Sequence, residues 1–238
     1  MTHEEVDGTR VGQHPMVSRF LKGVFNDRQP APKYSQTWDV DVVLSFLKAL
    51  PENDHLSFTQ LSHKLAMLMA LSNADRCSDL AALDLNHRSF HCNGVQFIIP
   101  GLTKTRRSGP PLEVFYPAFP PEPKLCPMLT LQCYEERSGH FREASGGSNP
   151  LFISVRRPHR PVKPSTLGHW LKSVMKLSGI DTSIFTAHST RGAATSKAKV
   201  QGASIRDILK AANWSSQSTF CRFYDRPISS GSFGSRVL

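Results

Sequence analysis

Within residues 14–26, apolar side chains fall at Val17, Phe20, Leu21, Val24 and Phe25. That is the three-and-four spacing of one helix face, with Arg19 and Lys22 on the polar side. Residues 27–37, DRQPAPKYSQT, hold two prolines and predict a linker. The helical period returns over residues 38–50, WDVDVVLSFLKAL, and 56–72, LSFTQLSHKLAMLMALS. The second is apolar round much of its circumference, which predicts central burial. NADRCSDLAALDL adds a further helical turn or two. Then the period changes. Residues 89–101, SFHCNGVQFIIPG, place Asn-Gly between apolar runs, a hairpin signal, and residues 111–119, PLEVFYPAF, supply a third strand. The basic turn LTKTRRSGP joins the last two strands. A helical pattern resumes from Leu125 to about Arg137. The loop EASGGSNP leads to an extended LFISV and the proline-broken, basic RRPHRPVKP. Residues 165–179 predict a helix with Ser165 as N-cap and Gly179 near its C-terminal end. Two short helices follow, one running on from His188 and one starting at Ser204, where Ser204 and Asp207 resemble a capping box. A last helix around residues 216–224 carries Tyr224. Residues 1–13 predict no regular structure, and the Ser/Gly-rich residues 227–238 predict a flexible tail.

The pattern is that of an α+β chain, mainly helical, with a small three-stranded antiparallel sheet. Its 238 residues, 39% of them hydrophobic, suffice for a sizeable core. No apolar run reaches the roughly 18 residues of a membrane span, and the polar, acidic MTHEEVDG reads as no signal peptide. Charge changes the picture more. Lys and Arg outnumber Asp and Glu by 29 to 19, for a net charge of +10. Such a surface favours a polyanion, because binding one releases its counterions. The five cysteines form no CxxC pair, which argues against a disulfide framework or zinc knuckle and for reduced thiols inside a cell. HRSFHC, residues 87–92, is a local His/Cys cluster, but strand alternation sends its neighbours to opposite faces, so no metal site is expected.

Several residues carry candidate chemistry. His188 and Arg191 are three apart at a predicted helix start, where free N–H groups favour an anion such as a phosphate. Alone, the pair reads equally as a surface cap. Arg76 borders a strongly apolar helix, and Asp79 three residues on can orient its guanidinium. Lys104 sits in a hairpin turn beside Arg106 and Arg107, within reach of a groove or simply solvated. Tyr224 stands among cations, which favour its phenolate, although alone it reads as a core aromatic.

Taken in order, DRCSDL, LTKT, HSTR and NWSSQSTFCRFY resemble the catalytic domain of the tyrosine recombinases, the phage-integrase family. The ending WSSQSTFCRFYDR is most similar to recombinases of eukaryotic mobile elements, the DIRS-like and Crypton-like groups. The resemblance spans about residues 38–226 and implies a catalytic domain there, after an N-terminal tail and linker at 1–37 and before the tail at 227–238. It implies roles position by position. Arg76 matches the first arginine, with Asp79 in place of a supporting acid that is more often Glu. Lys104 matches the hairpin lysine, and His188 with Arg191 the HxxR pair. Trp214 stands where the family has His or Trp. Tyr224 is the nucleophile, forming a 3′-phosphotyrosyl link without metal or other cofactor. Arg106, Arg107, Lys197 and Lys199 are expected to contact double-stranded DNA. A homotetramer on DNA follows from the same resemblance, a nuclear location from it and the basic runs, and no membrane association from the lack of an apolar run of spanning length.

Two departures stand out. Trp214 and Tyr224 are ten residues apart, one more than is usual in bacterial and phage members. Only 37 residues precede the catalytic part, and HPMVSRFLKGVFN resembles only the last helix of the family's DNA-clamping domain. A competing expectation is therefore a truncated or domesticated element product that binds DNA without recombining. A type IB topoisomerase relative would share the same chemistry.

Overall fold

The computed structural model describes residues 5–6, 8–28, 31, 33–100, 111–142 and 147–229. It divides into two compact units, Met1–Lys33 and Tyr34–Leu238. In the first unit, β1 (Glu5–Val6) pairs antiparallel with β2 (Thr9–Arg10), and a short 3-10 turn leads to α1 (Pro15–Asp27). Some regular structure therefore exists where none was expected, made by two-residue pairings too short to leave a periodic signal. The predicted helix at 14–26 is α1. Pro15 opens it, having no N–H to leave unsatisfied, and His14 Nδ1 accepts from Met16 N. On this helix Phe20 is 70% exposed and Met16 65%.

The second unit opens with β3 (Thr37–Trp38) and α2 (Val40–Ala49), which is capped by the Asp39 carboxylate accepting from Asp41 N at 2.9 Å. Then comes α3 (Phe58–Asn73), whose start is a full capping box: Ser57 Oγ accepts from Gln60 N, and Gln60 Oε1 accepts from Ser57 N. As its composition predicted, α3 is buried nearly all round, from Leu61 to Ala70. At that core, even Lys64 is 0% exposed, and its Nζ has no hydrogen-bond partner among the described residues. Burial lowers its pKa.

After α4 (Cys77–Ala81), the sheet forms from β4 (Arg88–His91), β5 (Gly94–Ile99) and β6 (Leu112–Pro117), antiparallel and in that order. The hairpin is present but its turn is Cys92-Asn93, because Gly94 already pairs with His91. Glycine is required there by close approach: a Cβ on Gly94 would stand 2.4 Å from the Tyr116 carbonyl oxygen. Alternation along β6 turns Val114 and Tyr116 inward and Phe115 outward.

The remaining helices are α5 (Pro127–Gly139), α6 (Pro164–Leu177), α7 (Ser189–Val200), α8 (Ile205–Ala211) and α9 (Gln217–Phe223). Helices α5, α6 and α7 and strand β6 pack on α3. Ahead of α6, single bridges join Asp84 to Pro150 and Ile153 to Pro161. Ser165 does not cap α6. Lys163 holds that place and Pro164 is the first helical residue, since proline's fixed φ and missing N–H suit that position. Gly179 follows the helix end at φ +92, a conformation open to glycine. Ser204 caps α8 as expected, accepting from Asp207 N at 3.1 Å. Finally β7 (Ile228–Ser229) pairs parallel with β3, so the start of the expected tail is part of the fold. None of the described helices is long and apolar enough to cross a membrane, and none of the five cysteines is in a disulfide.

Candidate active site

The site is assembled from chain turns at helix ends. Ala74, in left-handed conformation at φ 50, ends α3 and redirects the chain so that Arg76 precedes α4. Asp79 lies in the first turn of α4, where its carboxylate suits the helix N-terminus. It accepts from Arg76 N at 3.3 Å and stands 3.5 Å from Arg76 Nη1, so one carboxylate holds both backbone and guanidinium. His188 precedes α7, and Arg191 lies one turn in. Ser189, between them, is tied down: its hydroxyl donates to Thr186 O and accepts from Trp38 Nε1 at 2.9 Å. Asn213, at φ 49, ends α8 and swings Trp214 toward α7. Tyr224 caps the end of α9, and its carbonyl accepts from Ser196 Oγ of α7 at 2.8 Å.

These turns converge. The Tyr224 hydroxyl and His188 Nε2 are 3.0 Å apart, hydrogen-bonded whichever carries the proton. The Trp214 ring lies 4.3 Å from the Tyr224 ring, centre to centre, and 5.1 Å from the Arg191 guanidinium carbon. A cation over an indole face is attracted to it. Arg191 is 1% exposed. Its Nη2 donates to the Ala212 carbonyl at 2.8 Å, while Nε and Nη1 have no partner among the described residues. Burial, then the nearby Arg76 charge, lowers its pKa to about 10, so it remains a cation at neutral pH. A buried guanidinium with two unsatisfied donors is a strong acceptor-seeking group, and an oxyanion satisfies it.

The sequence-derived set is thus largely gathered: Arg76, Asp79, His188, Arg191, Trp214 and Tyr224 surround one locus. Lys104, Arg106 and Arg107 lie outside the described residues. Lys197 and Lys199 extend from α7 but are already engaged, Lys197 with Asp41 and Lys199 with Asp225 at 2.5 Å. Three contributors were not singled out beforehand. The Ala212 carbonyl and the Ser196 hydroxyl act through long-range placement that carries no local signal. Asp75 had one: an acid directly before Arg76, behind a helix that predicted burial. It is buried, and the Tyr116 hydroxyl donates to its Oδ2 at 2.7 Å. Among the described residues, no group of His, Cys, Asp and Glu is arranged to hold a metal.

The phage integrase family matches residues 37–228. Among solved structures, XerH site-specific recombinase bound to a palindromic difH substrate in a post-cleavage complex is similar, with TM-score 0.60 and 13% identity over 81% of this chain and 50% of that one. The Tn1549 transposon integrase in complex with transposon right end DNA gives 0.52 and 17%, over 89% and 66%. A lambda integrase dimer bound to a COC′ core site gives 0.51 and 15%, over 91% and 73%. The chain spans about half the length of the XerH recombinase. No curated protein matches it in sequence. The family match covers most of the chain, and the helical unit with its three-stranded antiparallel sheet matches the same fold: this protein belongs to the phage integrase family and has the fold of a tyrosine recombinase catalytic domain.

Proposed function

We propose that the protein is a DNA strand-breaking and rejoining enzyme, a site-specific recombinase acting through a 3′-phosphotyrosyl intermediate. The observation that carries this reading is the Tyr224 hydroxyl 3.0 Å from His188 Nε2, beside a buried Arg191 with two unsatisfied donors. Tyr224 Oη attacks the scissile phosphorus as its proton passes to His188, and the P–O5′ bond breaks. Arg191 and Arg76 donate to the non-bridging oxygens, where charge builds up in the transition state. Asp79 keeps Arg76 aimed. Trp214 packs against Tyr224 and excludes water from the attacking oxygen. By the family resemblance, Lys104 protonates the departing 5′-oxygen. The covalent link conserves the energy of the phosphodiester, so a second strand's 5′-hydroxyl reverses the step without ATP.

DNA is the expected partner, on the +10 net charge and the phosphate-seeking site. Arg106, Arg107, Lys197 and Lys199 supply backbone contacts, the two lysines in competition with Asp41 and Asp225. A tetramer on DNA rests on the family resemblance, kinship with eukaryotic mobile-element recombinases on the ending WSSQSTFCRFYDR, and a nuclear location on that kinship and the basic runs. The test uses a pool of nicked duplexes of randomised sequence, in which the fragment behind the nick diffuses away after attack. A denaturation-resistant protein–DNA adduct is expected from the wild-type chain and not from Tyr224→Phe. Binding without adduct supports the binding-only alternative. Relaxation of supercoiled plasmid without joining between molecules supports a topoisomerase.

A further inference from the structure

Asp75 is a carboxylic acid behind the arginine pair, 9% exposed, at the turn between α3 and α4. Its neighbour Tyr116 on β6, 1% exposed, donates to it at 2.7 Å. An asparagine would accept that hydrogen bond equally well, so packing alone does not call for an ionisable group here. A buried carboxylate is costly when charged. Arg76 turns its Nη1 to Asp79 and Arg191 its Nη2 to the Ala212 carbonyl, so Asp75 bears on both arginines through its field. Asp75 and Asp79 also line a cleft of about 410 Å³, which Glu113 of β6 and Asp207 and Lys210 of α8 share. The charge balance of the inner group is simple. With Asp75 ionised, Arg76 and Arg191 face Asp75 and Asp79, and the net charge is zero. With Asp75 protonated, one positive charge is left for an incoming anion.

We propose that Asp75 is a positioning residue of the phosphate site: it acts through Arg76 and Arg191, and the gain or loss of its proton sets how much positive charge the pair presents to a DNA phosphate. This rests on the reading of the site given under Proposed function. Burial, helped by the Asp79 charge and only partly offset by the Tyr116 hydrogen bond and the two arginines, raises the carboxyl from 3.8 to about 7, which places the change near neutrality. A phosphate entering the site repels the ionised carboxylate, so binding takes up a proton.

The test follows duplex DNA binding by the full chain, by fluorescence anisotropy between pH 6 and 8.5 at constant ionic strength. Wild type is compared with Asp75→Asn and Tyr116→Phe. Wild type and Asp75→Asn are expected to bind alike at pH 6. At pH 8.5 Asp75→Asn binds roughly three- to tenfold tighter, the effect of one charge several ångströms away in a partly screened site. Tyr116→Phe removes the donor that favours the ionised carboxylate, so the loss of affinity moves to higher pH. Where Asp75→Asn does not fold, that shift alone decides. An affinity ratio of wild type to Asp75→Asn that stays constant across the range overturns the proposal, because a purely structural role carries no pH dependence. A wild-type chain that binds no duplex at any pH contradicts the DNA reading itself, and that result is visible without either variant.

Discussion

Arg191 carries the tightest constraint in the site. It is a buried cation whose hydrogen bond to the Ala212 carbonyl leaves two of its nitrogens, Nε and Nη1, without a partner among the described residues. Arg191→Lys keeps a charge but cannot present a planar fork of donors. Its rate of adduct formation is expected to fall about 10²–10³-fold, the usual loss for one oxyanion-stabilising group, with fold retained by circular dichroism. Asp75 makes a second prediction, about stability. Its carboxyl titrates near 7 in the folded chain against 3.8 ordinarily, so between those values the folded state holds a proton that the unfolded chain has released. Stability from this group therefore falls as pH rises from about 4 through 7. The Tm of Asp75→Asn, measured relative to wild type, should accordingly be higher at pH 8 than at pH 5. Arg76, His188, Arg191, Trp214 and Tyr224 could be singled out in the chain only as an ordered set that resembles the tyrosine recombinases, since each alone reads as an ordinary residue. Asp75 escaped because its meaning depends on Tyr116, 41 residues away, pointing inward from β6.

The same division holds for elements. Helices with a periodic face and a local cap, such as α3 behind Ser57 or α8 behind Ser204, could be read because both signals lie within a few residues. The β3–β7 pair could not, since it joins residues 37–38 to 228–229 and neither partner has a pattern of its own. The hairpin turn was misplaced by one residue because Asn-Gly is the common two-residue turn, whereas this glycine is needed on the strand against Tyr116. Within α3, Lys64 holds a buried ammonium with no hydrogen-bond partner among the described residues. Lys64→Met fills similar volume and removes the desolvation cost, so the Tm is expected to rise by about a few degrees, read by thermal denaturation at neutral pH. Met67, equally buried, marks the opposite case: Met67→Ala leaves a cavity and costs about 2–5 kcal/mol in chemical denaturation.

At the scale of the whole molecule, the proposed reading makes the charge excess and the arginine locus parts of one DNA-binding surface. DNA affinity is expected to fall steeply with salt, losing about 0.9 in the log–log slope for each phosphate contact removed. If Lys199 reaches a phosphate despite Asp225, Lys199→Ala flattens the slope by about that amount, and an unchanged slope assigns it to the ion pair alone. The central claim is that Tyr224 is a nucleophile toward DNA. Its most direct measurement is covalent capture on nicked duplexes, with the attached residue located by mass spectrometry. Expected is an adduct on Tyr224 that vanishes in Tyr224→Phe; an adduct that survives that substitution, or none from a wild-type chain that binds the same duplexes, would contradict it.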